Sequence, residues 1–289
     1  MKRIILISFL ALFSYALQSQ DANAIPEKSQ PGFFAGISYS YLSIESELND
    51  LEYHSVWYGQ DLGTVNVDQG ELDMINEQRT ELYDRHYLAV EPGMVFLNNN
   101  RWCFEGSVLF GVSRVKFKTE IDQPEATQKT VTTDFKNLVT GISLNLRYNF
   151  SEKWGLSMMP QLIYTWGDSD DIKDNIRPQV DFFVNDLKES YSNGYGRLNI
   201  MASYMAGKLM VSLGPGFYYS FINKTYTIDR INPETMDKYH DEIESSLNSI
   251  AFIDACLRVD WTIIQPLTLS MESAAGQDLF IKTFLRYNF

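Results

Sequence analysis

Cysteine is almost missing from this chain: Cys103 and Cys256 are the only two in 289 residues. That excludes a disulfide-stapled scaffold and a cysteine-rich zinc site. Histidine numbers three, His54, His86 and His240, which leaves few groups for general-base or ligand work. Positive charge is in deficit, with 24 Lys and Arg against 37 Asp and Glu and a net charge of −13. Nucleic acid is excluded as a partner for so acidic a surface. Past the N-terminus no run of 18 or more apolar residues occurs, so no spanning helix is expected. Spanning strands need no such run.

The N-terminus has its own pattern. Met1-Lys2-Arg3 is basic, Ile4 to Leu17 is almost wholly apolar, and Ala22-Asn23-Ala24 offers a small-x-small cleavage site. Residues 1–24 therefore read as a secretory signal peptide, and 25–289 as one domain. No cysteine follows the cleavage site, which argues against lipidation there.

Aromatics are abundant, with 18 Phe, 17 Tyr and 5 Trp. They fall into alternation. Over Leu279–Phe289, Leu279, Ile281, Thr283, Leu285, Tyr287 and Phe289 share one parity, and Phe280, Lys282, Phe284, Arg286 and Asn288 the other. Successive strand side chains point to opposite faces, so one face is apolar and the other carries cations. Nine earlier segments repeat the pattern, beginning at Phe33, Tyr87, Trp102, Leu138, Trp154, Arg197, Leu209, Ile253 and Leu267. Each supplies roughly the 9–11 residues of a tilted spanning strand. Short connections at Leu97–Arg101, Ser151–Lys153, Ala206–Lys208 and Ile264–Pro266 alternate with long ones near 43–84, 116–134, 167–193 and 223–249. The expected fold is all-β: a single transmembrane antiparallel up-and-down β-barrel of about 10 strands, with short turns at one end and long loops at the other. Trp102, Trp154, Trp166 and Trp261 all share the apolar parity and sit at strand ends, as a girdle at two membrane interfaces requires.

The last strand, with Tyr287 and a terminal Phe289, resembles the recognition strand of bacterial outer-membrane β-barrel proteins, and the whole pattern resembles the small OmpA-like barrels without a periplasmic domain. The resemblance implies an integral outer-membrane protein and an assembly signal at Tyr287 and Phe289. It implies outer-membrane lipids and lipopolysaccharide as surroundings, the barrel assembly machinery during biogenesis, and an extracellular or envelope partner. It implies no cofactor and no catalysis. A narrow pore is one alternative. A rim enzyme, an omptin-like protease or lipid-modifying barrel, is the other, with Asp84 and His86 as its candidate residues; His86 has outward parity and no convergent acidic pair.

Inward parity collects Glu91, Glu105, Asp254, Asp260 and Glu272, and against them Arg147, Arg197, Arg258, Lys282 and Arg286. Ten strands enclose little space, so these side chains are expected to plug the lumen as charge networks. Arg147 is expected between Glu91 and Glu105, side by side across one hairpin, and Arg258, Glu272 and Lys282 as a second cross-strand row. Cys103 and Cys256 point inward on opposite walls, too far apart for a disulfide, and are expected as buried free thiols. Asp168, Asp170, Asp171 and Asp174 are carboxylates able to meet Ca²⁺ but lack an EF-hand's glycine and terminal Glu, so a solvated acidic loop is expected. Met236, Tyr239, His240, Ile243 and Leu247 recur at helical spacing after Asn232-Pro233-Glu234, predicting a short helix within 233–247. A further helical turn is expected at Val180–Leu187.

Overall fold

The computed structural model describes residues 32–57, 60–99, 101–121, 129–169, 183–231, 235–276 and 279–289. Residues 1–24, expected as a signal peptide, lie outside them. In chain order the elements are β1 (Gly32–Trp57), β2 (Gln60–Asn66), α1 (Gln69–Gln78), β3 (Arg79–Asn98), β4 (Trp102–Ile121), β5 (Lys129–Asn149), β6 (Trp154–Ser169), β7 (Phe183–Ala206), β8 (Leu209–Ile231), β9 (Lys238–Ile264), β10 (Leu267–Ala275) and β11 (Leu279–Asn288). Each strand from β3 to β11 pairs antiparallel with the next, β3 with β1, and β11 closes on β1. The ring holds ten strands, and β2 is an extra strand laid along β1 beyond the ring. Closure removes every ring edge, the requirement for sheet surrounded by lipid.

The alternation explains why this surface exists. Leu88, Val90, Phe110, Val112, Leu138, Ile142, Leu162 and Leu213 are all more than half exposed on the outer face. A continuous apolar belt of this kind is unstable in water and stable in a bilayer. On β6 the belt runs from Trp154 to Trp166. Its twelve residue-to-residue steps of about 3.3 Å, tilted by about 45°, span roughly 28 Å along the axis, close to a hydrocarbon core. Trp102 packs against Tyr148 at 4.7 Å and Trp154 against Tyr204 at 4.8 Å, both beside the short turns. Trp166 lies against Tyr164 at 5.5 Å at the other edge. Trp261 is 44% exposed at the short-turn end of β9.

The strands outrun the bilayer. β1 has 26 residues, β7 24, β8 23 and β9 27, against 9 in β10 and 10 in β11. Much of the expected loop length is therefore strand. The segment near 43–84 is the upper half of β1, then β2, α1 and the start of β3. The helix expected within 233–247 is absent: from Lys238 the chain is β9, paired to β8 from Ile231↔Lys238 and to β1 over Trp57↔Tyr239 to Glu47↔Asn248. Residues 232–234, with the anticipated cap, lie outside the described residues. Of Val180–Leu187, the part from Phe183 onward is strand β7. Both predictions failed for one reason. A short helical periodicity is a weak local preference, and two flanking strands supply a ladder that overrides it. A bulge between Tyr218 and Ser220 in the β8–β9 ladder also shifts β9's parity, so Leu247 and Asp254 are both buried although one is odd and the other even.

Above the short β10–β11 hairpin, β1 leaves β11 and pairs directly with β9. Ten strands surround the lumen within the belt, and the hairpin pair drops out of the taller wall.

Candidate functional site

The lumen is the site the sequence points to, and it is built from the inward parity of each strand. Glu91 (β3), Glu105 (β4), Arg147 (β5), Arg197 (β7), Asp254, Arg258 and Asp260 (β9), Glu272 (β10), and Lys282 and Arg286 (β11) all sit at buried or half-buried inward positions. Four ion pairs form among them. Lys282 Nζ lies 2.7 Å from Glu91 Oε1, and Arg286 Nη1 donates to Glu105 Oε2 at 2.7 Å. Arg197 Nη1 lies 3.2 Å from Glu272 Oε1. Arg258 Nε donates to both Asp260 oxygens at 2.9 Å, and Ser270 Oγ donates to the same carboxylate at 2.5 Å. Amides complete the set: Asn145 donates to Glu105 at 3.0 Å and Asn199 to Glu272 at 2.7 Å.

The partners differ from the two rows expected. The register sets Glu105 opposite Val95, not beside Glu91, so the two carboxylates are not neighbours. Arg147 joins neither; its Nη1 contacts Met210 Sδ at 2.9 Å. Glu272 is opposite both Arg258 and Lys282 in the ladder, yet its ion pair is with Arg197, across β8 and β9. The reason is local side-chain size. The inward face of β1 presents Gly36, Ser38 and Ser40, so Lys282 and Arg286 reach over β1 to acids on β3 and β4. The inward face of β8 presents Ser212, Gly214 and Gly216, and Arg197 passes over it to touch Cys256 Sγ at 3.1 Å. Asp254 forms no ion pair among the described residues. Its carboxylate lies over Gly276, where a Cβ would come within 2.1 Å of Oδ1.

Aromatic rings fill what the charges leave. Arg286 stacks on Phe34 at 3.8 Å and Arg197 on Phe280 at 4.1 Å. Phe34 lies on Gly93 and Phe284 on Gly36, each at a place where a Cβ would be 2.2 Å from the ring. Toward the tall end Tyr87, Tyr195 and Tyr218 form a buried layer. Beyond them Arg85, fully buried, donates to Thr165 and to Asn193, which also accepts from Tyr83. Asn137 donates to the Tyr191 hydroxyl. Sequence reasoning missed Arg85, Tyr83, Asn193, Lys224 and Glu189, all buried. Continuing the inward parity of β3 back from Tyr87 would have reached Arg85 and Tyr83. The space left between the charged side chains is a cavity of about 60 Å³, lined among others by Glu91, Glu105, Arg258, Glu272, Lys282 and Arg286. That is room for a few ordered waters.

Cys103 and Cys256 are both free and buried. His86 Nδ1 lies 2.7 Å from the Tyr39 hydroxyl, and Tyr41 donates to Asp84 at 3.2 Å. All four residues are on the outer face: Tyr39 is level with Leu88, Tyr41 and His86 lie two positions further out, and Asp84 four. A His–Asp pair, His240 and Asp229 at 2.6 Å, is exposed on the tall extension of β8 and β9. Among the described residues no group of three His, Cys, Asp or Glu could hold a metal ion. Asp168 is exposed, and residues 170–174 lie outside the described residues. Tyr287 is on the outer face, packed edge-on to Phe289 at 5.2 Å, beside the start of β1.

Fold and lumen define a class: a closed, membrane-spanning antiparallel barrel with paired charges in its lumen. Neither a family model nor any curated protein matches the chain. Among solved structures it is similar to the outer membrane protein OprG from Pseudomonas aeruginosa, at 12% identity and a TM-score of 0.39, over 92% of this chain and 99% of that one. It is similar to the outer membrane protease OmpT from Escherichia coli, at 11% identity and 0.45, over 89% and 97%. A third is the β domain of the Bordetella autotransporter BrkA, at 12% identity and 0.36, over 90% and 100%. Each is a likeness of barrel shape at low identity.

Proposed function

We propose that this is an integral outer-membrane barrel, exported with a cleaved signal peptide, whose lumen is closed and whose work is done at its surface. Its role is in envelope structure or in contact with an extracellular partner, without catalysis, through long acidic segments at the tall end, where residues 43–83 carry ten Asp and Glu against Arg79 alone. The observation that carries the reading is the lumen. Four ion pairs bridge strands or brace the wall around a cavity of about 60 Å³. A buried layer of tyrosines lies above them. A conducting path would need these pairs broken and the rings displaced.

Conductance in planar bilayers tests the closed lumen. The wild-type protein is expected to give no steady ohmic current. A stable, salt-dependent single-channel current would make the protein a narrow pore. Outer-membrane fractionation with heat-modifiable gel migration tests the location, and recovery in the soluble periplasm would refute it.

A further inference from the structure

The outer face changes character within a single step of the ladder. Leu88, Val112, Leu138 and Trp166 face outward at one level, linked by the register Leu88↔Val112, Val112↔Leu138 and Leu138↔Trp166. The next outward residues toward the tall end are His86, Arg114 and Lys136, linked by His86↔Arg114 and Arg114↔Lys136. Apolar side chains thus give way to cations over two residues, about 7 Å of strand. An open groove of about 710 Å³ joins the two rows.

At this level the cations stand side by side on β4 and β5, and the next outward cation on β7, Lys188, lies one step further out. At the corresponding level β7 and β8 present Ser190, Ser192, Asn223 and Thr225. Negative groups flank the patch: Asp168 on β6, and Asp84, opposite Lys116 one step further out. The row at the apolar boundary itself carries Arg114 and Lys136 in a chain of net charge −13. A general attraction to anionic membrane would spread cations around the ring. Two adjacent cations above a four-strand apolar bed instead match one ligand: acyl chains below, phosphate above.

We infer that this face holds a lipid A molecule, its phosphates on Arg114 and Lys136 and its acyl chains on the row from Leu88 to Trp166. The width of the bed, four strands at about 4.8 Å each, suits a lipid with several chains better than a two-chain phospholipid. This rests on the outer-membrane reading, because lipid A belongs to that membrane.

Native mass spectrometry of the full protein in detergent, titrated with bisphosphoryl lipid A, phosphatidylglycerol or phosphatidylcholine, tests it. One lipid A is expected to bind at least tenfold more tightly than either phospholipid. Arg114→Gln with Lys136→Gln should weaken lipid A at least tenfold, whereas Lys153→Gln with Lys208→Gln, at the short turns, should leave it within twofold. Folding of each variant is checked by heat-modifiable migration. If the double variant fails to fold, the exposed single change Lys136→Gln is read instead, with at least a threefold loss expected. Unchanged lipid A affinity in the boundary variant, equal loss in the short-turn variant, or phosphatidylglycerol bound as tightly as lipid A would each overturn the assignment. Fractionation of wild type reports on membrane location separately, so loss of one reading does not masquerade as loss of the other.

Discussion

Replacing Lys282 with Met isolates the energetic logic of the lumen. Lys282 and Glu91 side chains are 9% and 2% exposed, with 2.7 Å between charged atoms. At an effective dielectric near 20 the Coulomb attraction at that distance is about 6 kcal/mol. Desolvation costs several kcal/mol per ion, so the intact pair contributes little net stability. Removing one partner is different. Glu91 would keep its desolvation cost and lose its cation, and Lys282 is its only ion-pair partner among the described residues. The expected loss is about 3–5 kcal/mol. With an m-value of about 1–3 kcal/mol/M in urea, even a 3 kcal/mol loss moves the midpoint down by roughly 1–3 M. Equilibrium unfolding in lipid vesicles, followed by tryptophan fluorescence, reads the shift. Lys282→Met with Glu91→Leu removes both charges and should recover most of the loss. A single variant within about 0.5 kcal/mol of wild type, or a double variant no better than the single, would refute the claim that this pair sits in a dry lumen.

Other consequences are equally concrete. Gly36→Val would drive a side chain into the Phe284 ring, 2.2 Å from the Cβ position; a loss of about 1–3 kcal/mol is expected in the same unfolding assay. Arg197→Ala strips the cation from Glu272 and the ring cover from Phe280, and should cost at least as much as Lys282→Met. Deleting Phe289 should slow assembly in cells, read as accumulation of the unfolded gel form, while purified protein refolds into detergent at the wild-type yield. Both thiols should resist a thiol reagent until the protein is denatured, then react as two, with no mass change on prior reduction.

The outer surface was legible because a bilayer imposes a strict test on every second residue. Leu88, Val90, Leu138, Leu162 and Leu213 announced their face by parity alone, and the tryptophans marked its edges. The tall end was not. Above the belt, water bathes the outer face, so polar outward residues such as Glu242 and Glu244 are acceptable and the alternation loses its apolar half. What remained, Tyr239, Ile243 and Leu247, fits helix and strand alike. The choice was made by partners almost two hundred residues away, the upper half of β1, which no local pattern reveals.

The lumen sits between these cases. Parity identified ten charged groups but not their pairing, and the difference is geometric. Ladder neighbours are set by hairpins and can be counted from turns. Ion pairs in a narrow barrel are set by which strands have small inward residues for a long side chain to cross. Gly36, Ser38 and Ser40 on β1 open the way from β11 to β3 and β4, and closure of the ring brings β11 there in the first place. Glu105 and Arg286 are 181 residues apart in sequence and 2.7 Å apart in space. Runs of small inward residues in a spanning strand therefore mark where charge pairs bridge the lumen. Filling such a run should do more than removing one pair. Ser38→Leu, placed between the paths of Lys282 and Arg286, would obstruct both at once, and its unfolding midpoint should fall below that of Lys282→Met. A Ser38→Leu barrel as stable as wild type would mean the two cations do not cross β1 at that position.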